Sequence, residues 1–188
     1  MKNLLITVPH GFCPKFSIVR ECDLRALSTA KIIGNEYKKY TGENYDLVYI
    51  PKKRALVDLN RKKPLGGSKI WEEFNKRIIK KLKPDTLLID CHSFPIGDFE
   101  RAQIAILDLT DTDRVEVEKF IKFAIRRTGL DIKFFKGRGN YIQDFYSEYS
   151  YPLLIEFCED REYLATDQIK IFIKLVFDYF LDLPIFNS

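Results

Sequence analysis

The chain has 188 residues, 46% of them hydrophobic and 31% charged, a composition that excludes a disordered chain and fits one folded domain over residues 1–188. Its 31 basic and 27 acidic residues leave a formal charge of +4, too mild an excess to mark a nucleic-acid-binding protein, so no nucleic-acid partner is expected. No apolar run approaches the roughly 18 residues that span a bilayer, and the N-terminus carries no leader pattern, so no membrane partner and a cytoplasmic location are the default expectations.

In chain order, the continuous apolar run over residues 3–8 predicts a buried strand, followed by a loop from Gly11 to Pro14. Leu24, Leu27, Ala30, Ile33 and Tyr37 recur at helical spacing within 21–40. Leu47–Ile50 reads as a second strand, and a basic loop runs from Pro51 to Gly67. Ser68 is placed to cap a helix reaching about Lys81. A third strand is expected over 86–91 and a fourth over 102–108. A helix over about 112–128 ends at Gly129, and 131–135 looks extended. Gly137–Asn140 is a flexible loop with no nucleotide-binding spacing. Leu153–Phe157 is another buried strand, and 166–182 is the last helix, an apolar and aromatic core element interrupted by charges. Alternating strands and helices predict an α/β three-layer sandwich with a mostly parallel mixed sheet.

The chain has two histidines, and both fall where an apolar strand runs out: His10 in Pro9-His10-Gly11 and His92 in Asp90-Cys91-His92-Ser93. In open α/β sheets, ligands bind beyond the carboxyl ends of the strands. If the first and third strands are parallel neighbours, the two imidazoles meet there. Imidazole is a metal ligand and an acid–base group. Glu156 interrupts an apolar strand, where a lone carboxylate must be paired, protonated or set at a cleft, and there it can act as general base or acid. Glu21-Cys22-Asp23 supplies carboxylates at a helix start, and Arg54, Asp58, Asn60 and Arg61 share the basic loop, where an arginine fork suits a carboxylate. Two histidines, an acidic third ligand and a detached glutamate match a catalytic zinc site with one position left for water.

The four cysteines, Cys13, Cys22, Cys91 and Cys158, form no CxxC pair and are expected to be unpaired in a reducing compartment. Cys13 or Cys158 as the nucleophile of a cysteine hydrolase is a competing reading. A non-catalytic binding protein on the same scaffold is another, with RNA binding through the loop 51–63 as its variant.

The order Val8-Pro9-His10-Gly11, Glu21-Cys22-Asp23, Arg54 with Asp58-Leu59-Asn60-Arg61, Asp90-Cys91-His92-Ser93 and Ile155-Glu156 resembles the N-formylglutamate amidohydrolase family and, more distantly, the zinc carboxypeptidase-like superfamily. The resemblance implies a phosphorylase/hydrolase-like fold and one zinc ion per chain held by His10, Asp23 and His92, with Glu21 or Cys13 as competitors for the third place. It implies Arg54, Asn60 and Arg61 on the carboxylate of a small-molecule substrate, and Glu156 as general base and acid. Asp58 would orient Arg61 or its loop. The chain is shorter than that family's members are expected to be.

Overall fold

The computed structural model describes residues 3–13, 22–52, 58–62, 68–83, 85–108, 111–136 and 141–181. Its elements in chain order are β1 (Asn3–Val8), α1 (Ala26–Thr41), β2 (Asp46–Tyr49), α2 (Lys69–Lys81), β3 (Thr86–Phe94), β4 (Ile104–Asp108), α3 (Asp111–Thr128), β5 (Ile132–Lys136), α4 (Tyr141–Tyr146), β6 (Tyr151–Cys158) and α5 (Thr166–Phe180). A short 3-10 turn, Phe99–Arg101, leads into β4. One six-stranded sheet has the order β2-β1-β3-β6-β4-β5. All neighbours run parallel except β4 and β6. The sheet is therefore mixed and mostly parallel, as expected.

Period-two alternation decides what each face of the sheet carries. Leu4, Ile6, Val8, Leu87, Ile89, Cys91, Leu153, Ile155 and Phe157 point to the larger core, closed by α1, α3 and α5. Its centre is aromatic: Phe120 packs against Phe172 and Phe180, with ring centroids 5.7 and 5.0 Å away. Each such side chain contributes about 1.5–3 kcal/mol by leaving water. On the opposite face Leu5 and Leu88 meet Trp71, Phe74 and Ile78 of α2 and Ile142 and Tyr146 of α4. These two helical layers make the sandwich.

The helix boundaries follow local chemistry. Ser68 caps α2 by accepting a hydrogen bond from the Trp71 amide, as its position predicted. Helix α1 ends at Gly42, whose φ of 78° is left-handed and whose N–H returns to the Lys38 carbonyl. At its start no side chain of its own caps it, and it begins at Ala26, five residues later than helical spacing suggested.

The third strand is longer than its apolar run. It pairs with β6 at every position from Leu87↔Tyr151 to Phe94↔Cys158, and this ladder holds the chain extended through Asp90, His92 and Ser93. His92 therefore lies inside the strand and not beyond its end. A second difference is covalent. Cys13 and Cys22, expected to be unpaired, form a disulfide with Cα atoms 5.3 Å apart. Beside it the Asp23 amide donates to the His10 carbonyl at 3.1 Å, so the end of β1 and the entry to α1 run side by side.

Candidate metal centre

Continuing the period-two pattern up the smaller face of the sheet, Leu5 gives way to Thr7, Leu88 to Asp90 and His92, and Leu154 to Glu156. The face thus turns from apolar to ionisable toward the carboxyl ends of the three central strands. β1 and β3 are parallel neighbours, and the rings of His10 and His92 meet edge to face with centroids 5.1 Å apart.

Asp23 reaches these rings from the turn before α1. His92 Nδ1 lies 2.9 Å and His10 Nδ1 3.7 Å from Asp23 Oδ2. One ligand atom from each of His10, Asp23 and His92 lies within 4.8 Å of the others, and all three residues are buried. The far nitrogens are equally ordered. His10 Nε2 donates to Asp58 Oδ1 at 2.8 Å, and His92 Nε2 donates to Asp90 Oδ2 at 3.1 Å. A carboxylate can only accept, so each Nε2 carries its proton. That leaves Nδ1 of His10 as a buried lone pair with no hydrogen-bond partner.

This donor set fits a metal ion. An orphaned imidazole nitrogen, a second imidazole nitrogen and a carboxylate oxygen converge, while carboxylates behind both rings fix their orientation and raise their basicity. Two nitrogens and one oxygen suit zinc with an open position. The charge balance points the same way. Burial disfavours ionised Asp23, but the hydrogen bond to His92 and the closeness of both imidazoles outweigh it and hold the carboxyl far below its usual range. Burial opposes protonation of His92, yet Asp90, Asp23 and Glu156 push its pKa well above the ordinary value. The site is built to hold positive charge.

Asp90 is fully buried and had no role in the sequence reading. It accepts from Thr7 Oγ1 at 2.7 Å and from Asn60 Nδ2 at 3.1 Å, besides His92. The available signal was the one that singled out Glu156, a carboxylate inside an apolar run. Asp58 lies 3.8 Å from Arg61 Nε and accepts from the Asn60 amide of its own loop at 3.1 Å, and it also contacts His10, a partner that was not expected.

Asn60, expected to meet a substrate carboxylate, is buried and engaged within the protein. Its Nδ2 donates to Asp90, and its Oδ1 accepts from the Ile142 amide at the start of α4. Arg61 is half exposed beside Asp58. Arg54, Glu21 and Gly137–Asn140 lie outside the described residues. Glu156 sits beside His92 in the β3–β6 register and, unlike Ile155 and Phe157, is only partly buried. Burial raises its pKa to about 7, against the lowering effect of His92 and with Asp23 and Asp90 adding to the rise.

The other candidate chemistry does not assemble. Cys13, whose sulfur is in the disulfide, is neither a free thiolate ligand nor a nucleophile. Cys158 is buried, and burial pushes its thiol pKa up, opposing the thiolate that a cysteine hydrolase needs. Among the described residues, no helix is long and apolar enough to cross a membrane.

Solved structures share this architecture. A gene product of Agrobacterium tumefaciens superposes with a TM-score of 0.63 at 14% identity, over 95% of this chain and 86% of that one. The succinylglutamate desuccinylase of Chromobacterium violaceum gives 0.52 at 11% identity, over 96% of this chain and 61% of that one. A metallo-carboxypeptidase of Burkholderia cenocepacia gives 0.52 at 12%, over 94% and 57%. The likeness is one of fold, to structures that include a desuccinylase and a metallo-carboxypeptidase. The chain spans about three fifths of the length of the desuccinylase and of the carboxypeptidase. No protein-family signature and no curated protein sequence matches it.

Proposed function

We propose that the protein is a zinc-dependent hydrolase of the amide bond in a small carboxylate-bearing substrate, N-formylglutamate or another N-acyl amino acid, with residues 1–188 forming one metallohydrolase domain. The observation that carries this reading is the convergence of His10 Nδ1, Asp23 Oδ2 and His92 Nδ1, with a carboxylate behind each ring. His10, Asp23 and His92 would hold one zinc ion, which when bound polarises the amide carbonyl and acidifies water.

The remaining chemistry belongs to the chain itself. Glu156, with its pKa raised to about 7, accepts a proton from the attacking water. As the tetrahedral carbon collapses and the C–N bond breaks, it returns that proton to the departing nitrogen, so the products are a free carboxylic acid and an amine. Arg61, with Arg54, receives the substrate's own carboxylate through the guanidinium fork. Asn60 supports the site from behind by holding Asp90. A desuccinylase among the proteins that share the fold supports an acylated amino acid as substrate.

The test is amine release from N-formyl-, N-acetyl- and N-succinyl-glutamate by the zinc-loaded protein. Turnover of one of them, lost in Glu156→Gln, is expected. A protein that binds zinc and these ligands yet releases no amine is a binding protein on a hydrolase scaffold.

A further inference from the structure

Asp23 differs from the two histidines in how it is held. His10 lies two residues past the end of β1, and His92 lies within β3, whereas Asp23 belongs to a turn with no strand of its own. Helix α1, which follows it, begins without a cap from its own N-cap residue, Arg25. The first amides of a helix need partners. Here the partners come from two distant segments of the site.

The Leu24 amide donates to Glu159 Oε1 at 2.7 Å, and the Arg25 amide donates to Ser93 Oγ at 3.0 Å. The Ser93 hydroxyl in turn donates to the same Glu159 oxygen at 2.8 Å. Glu159 is itself fixed, because its amide donates to the Phe94 carbonyl at 2.8 Å. The Arg25 guanidinium adds bonds to the carbonyls of Cys158, at 3.0 Å, and Leu164, at 2.6 Å. Ser93 follows the ligand His92, and Glu159 lies three residues after Glu156. One hydrogen-bonded knot therefore joins the segments that carry Asp23, His92 and Glu156.

We infer that Glu159, acting with Ser93, is a positioning residue that sets Asp23 at the distance needed to complete the metal site. The carboxylate also lies beside the start of α1, whose positive end it suits, so one side chain holds the turn that carries the ligand into the helix. This rests on the reading of His10, Asp23 and His92 as metal ligands.

The experiment compares wild type, Glu159→Ala, Glu159→Gln and Ser93→Ala for zinc affinity, by competition with a chromogenic chelator, and for the d–d absorption of the cobalt(II)-loaded protein. Partners of metal ligands carry about 10–100-fold in affinity. Glu159→Ala is expected to weaken zinc binding at least tenfold and to alter the cobalt spectrum. Glu159→Gln, which keeps the Oε1 acceptor, is expected to restore both. A Glu159→Ala protein with wild-type affinity and spectrum overturns the inference, as does an equal loss in Glu159→Gln. If Glu159→Ala does not fold, Ser93→Ala decides by the same two readouts, with loss in support and wild-type behaviour against. Absence of zinc and cobalt binding in wild type overturns the metal-site reading itself, and the positioning role falls with it. A wild-type protein that binds while Glu159→Ala is unaffected overturns only the positioning role.

Discussion

Glu156→Gln is expected to abolish catalysis and stabilise the metal-free protein, and the two effects have one cause. Glu156 is a carboxylate in a mostly buried position, with its pKa raised from the ordinary 4.5 to about 7 by burial. Below about pH 4.5 both folded and unfolded chains keep the proton, and the group costs nothing. Between about 4.5 and 7 the unfolded chain ionises first, so stability falls as the pH rises. Above 7 the full cost of a buried charge is present, at most ~3 kcal/mol at about 1.4 kcal/mol per tenfold change in proton affinity. Glutamine never ionises and avoids that cost. The variant should therefore gain up to ~3 kcal/mol at pH 8.5 and little at pH 5. The assay is urea unfolding of both proteins with a chelator present at the two pH values. Asp23 and His92 interact with Glu156 and titrate in both proteins, so the difference measures residue 156 together with its coupling to those groups. Zinc-loaded Glu156→Gln should lose ~10²–10⁴-fold in kcat, the range for a general acid–base group. An equal stability change at both pH values, or destabilisation at pH 8.5, would refute the reasoning.

Other consequences follow from single contacts. Breaking the Cys13–Cys22 disulfide, by reduction or by Cys13→Ser with Cys22→Ser, releases a cross-link between residues nine apart. The chain-entropy argument puts the cost at about 2.7 kcal/mol, or roughly 5–10 °C in Tm by calorimetry, and an unchanged Tm would contradict it. Asp58→Ala removes the acceptor behind His10 and should weaken zinc binding ~10–100-fold in a chelator competition, with secondary structure unchanged by circular dichroism. Phe177→Ala empties a fully buried position against Tyr37, 5.6 Å between centroids, and should cost about 3–5 kcal/mol in urea unfolding.

Much of the fold was legible because apolar runs and helical spacing reflect burial directly. The strand at 3–8 and the helix over 69–81 with its Ser68 cap emerge close to their expected bounds. The meeting of His10 with His92 was legible only as a condition, that the first and third strands be parallel neighbours, and the sheet meets it. Strand order was not. Nothing in the run Leu153–Phe157 says that β6 inserts between β3 and β4, or that it runs antiparallel to β4, because periodicity carries no information about partners. The same limit hid the supports of the site. Asp58 was expected to orient Arg61 or its loop, while its closest contact is His10, 48 positions away. Ser93 and Glu159 hold the amides that lead into α1 from 68 and 135 positions away in the chain, and no local pattern announces such contacts. The disulfide was missed because composition and compartment argued against it, whereas the turn around Asp23 brings the two cysteines together. Among the rival third ligands, the structure places Asp23 against both histidines.

The central claim is that His10, Asp23 and His92 form a metal site, and the direct test is metal content by inductively coupled plasma mass spectrometry after incubation with zinc and removal of free ion. The wild-type protein should retain about one zinc per chain, the number a three-ligand site holds, and the His10→Ala/His92→Ala variant should retain none. Wild-type protein without zinc, or a double variant that holds as much as wild type, would contradict the account.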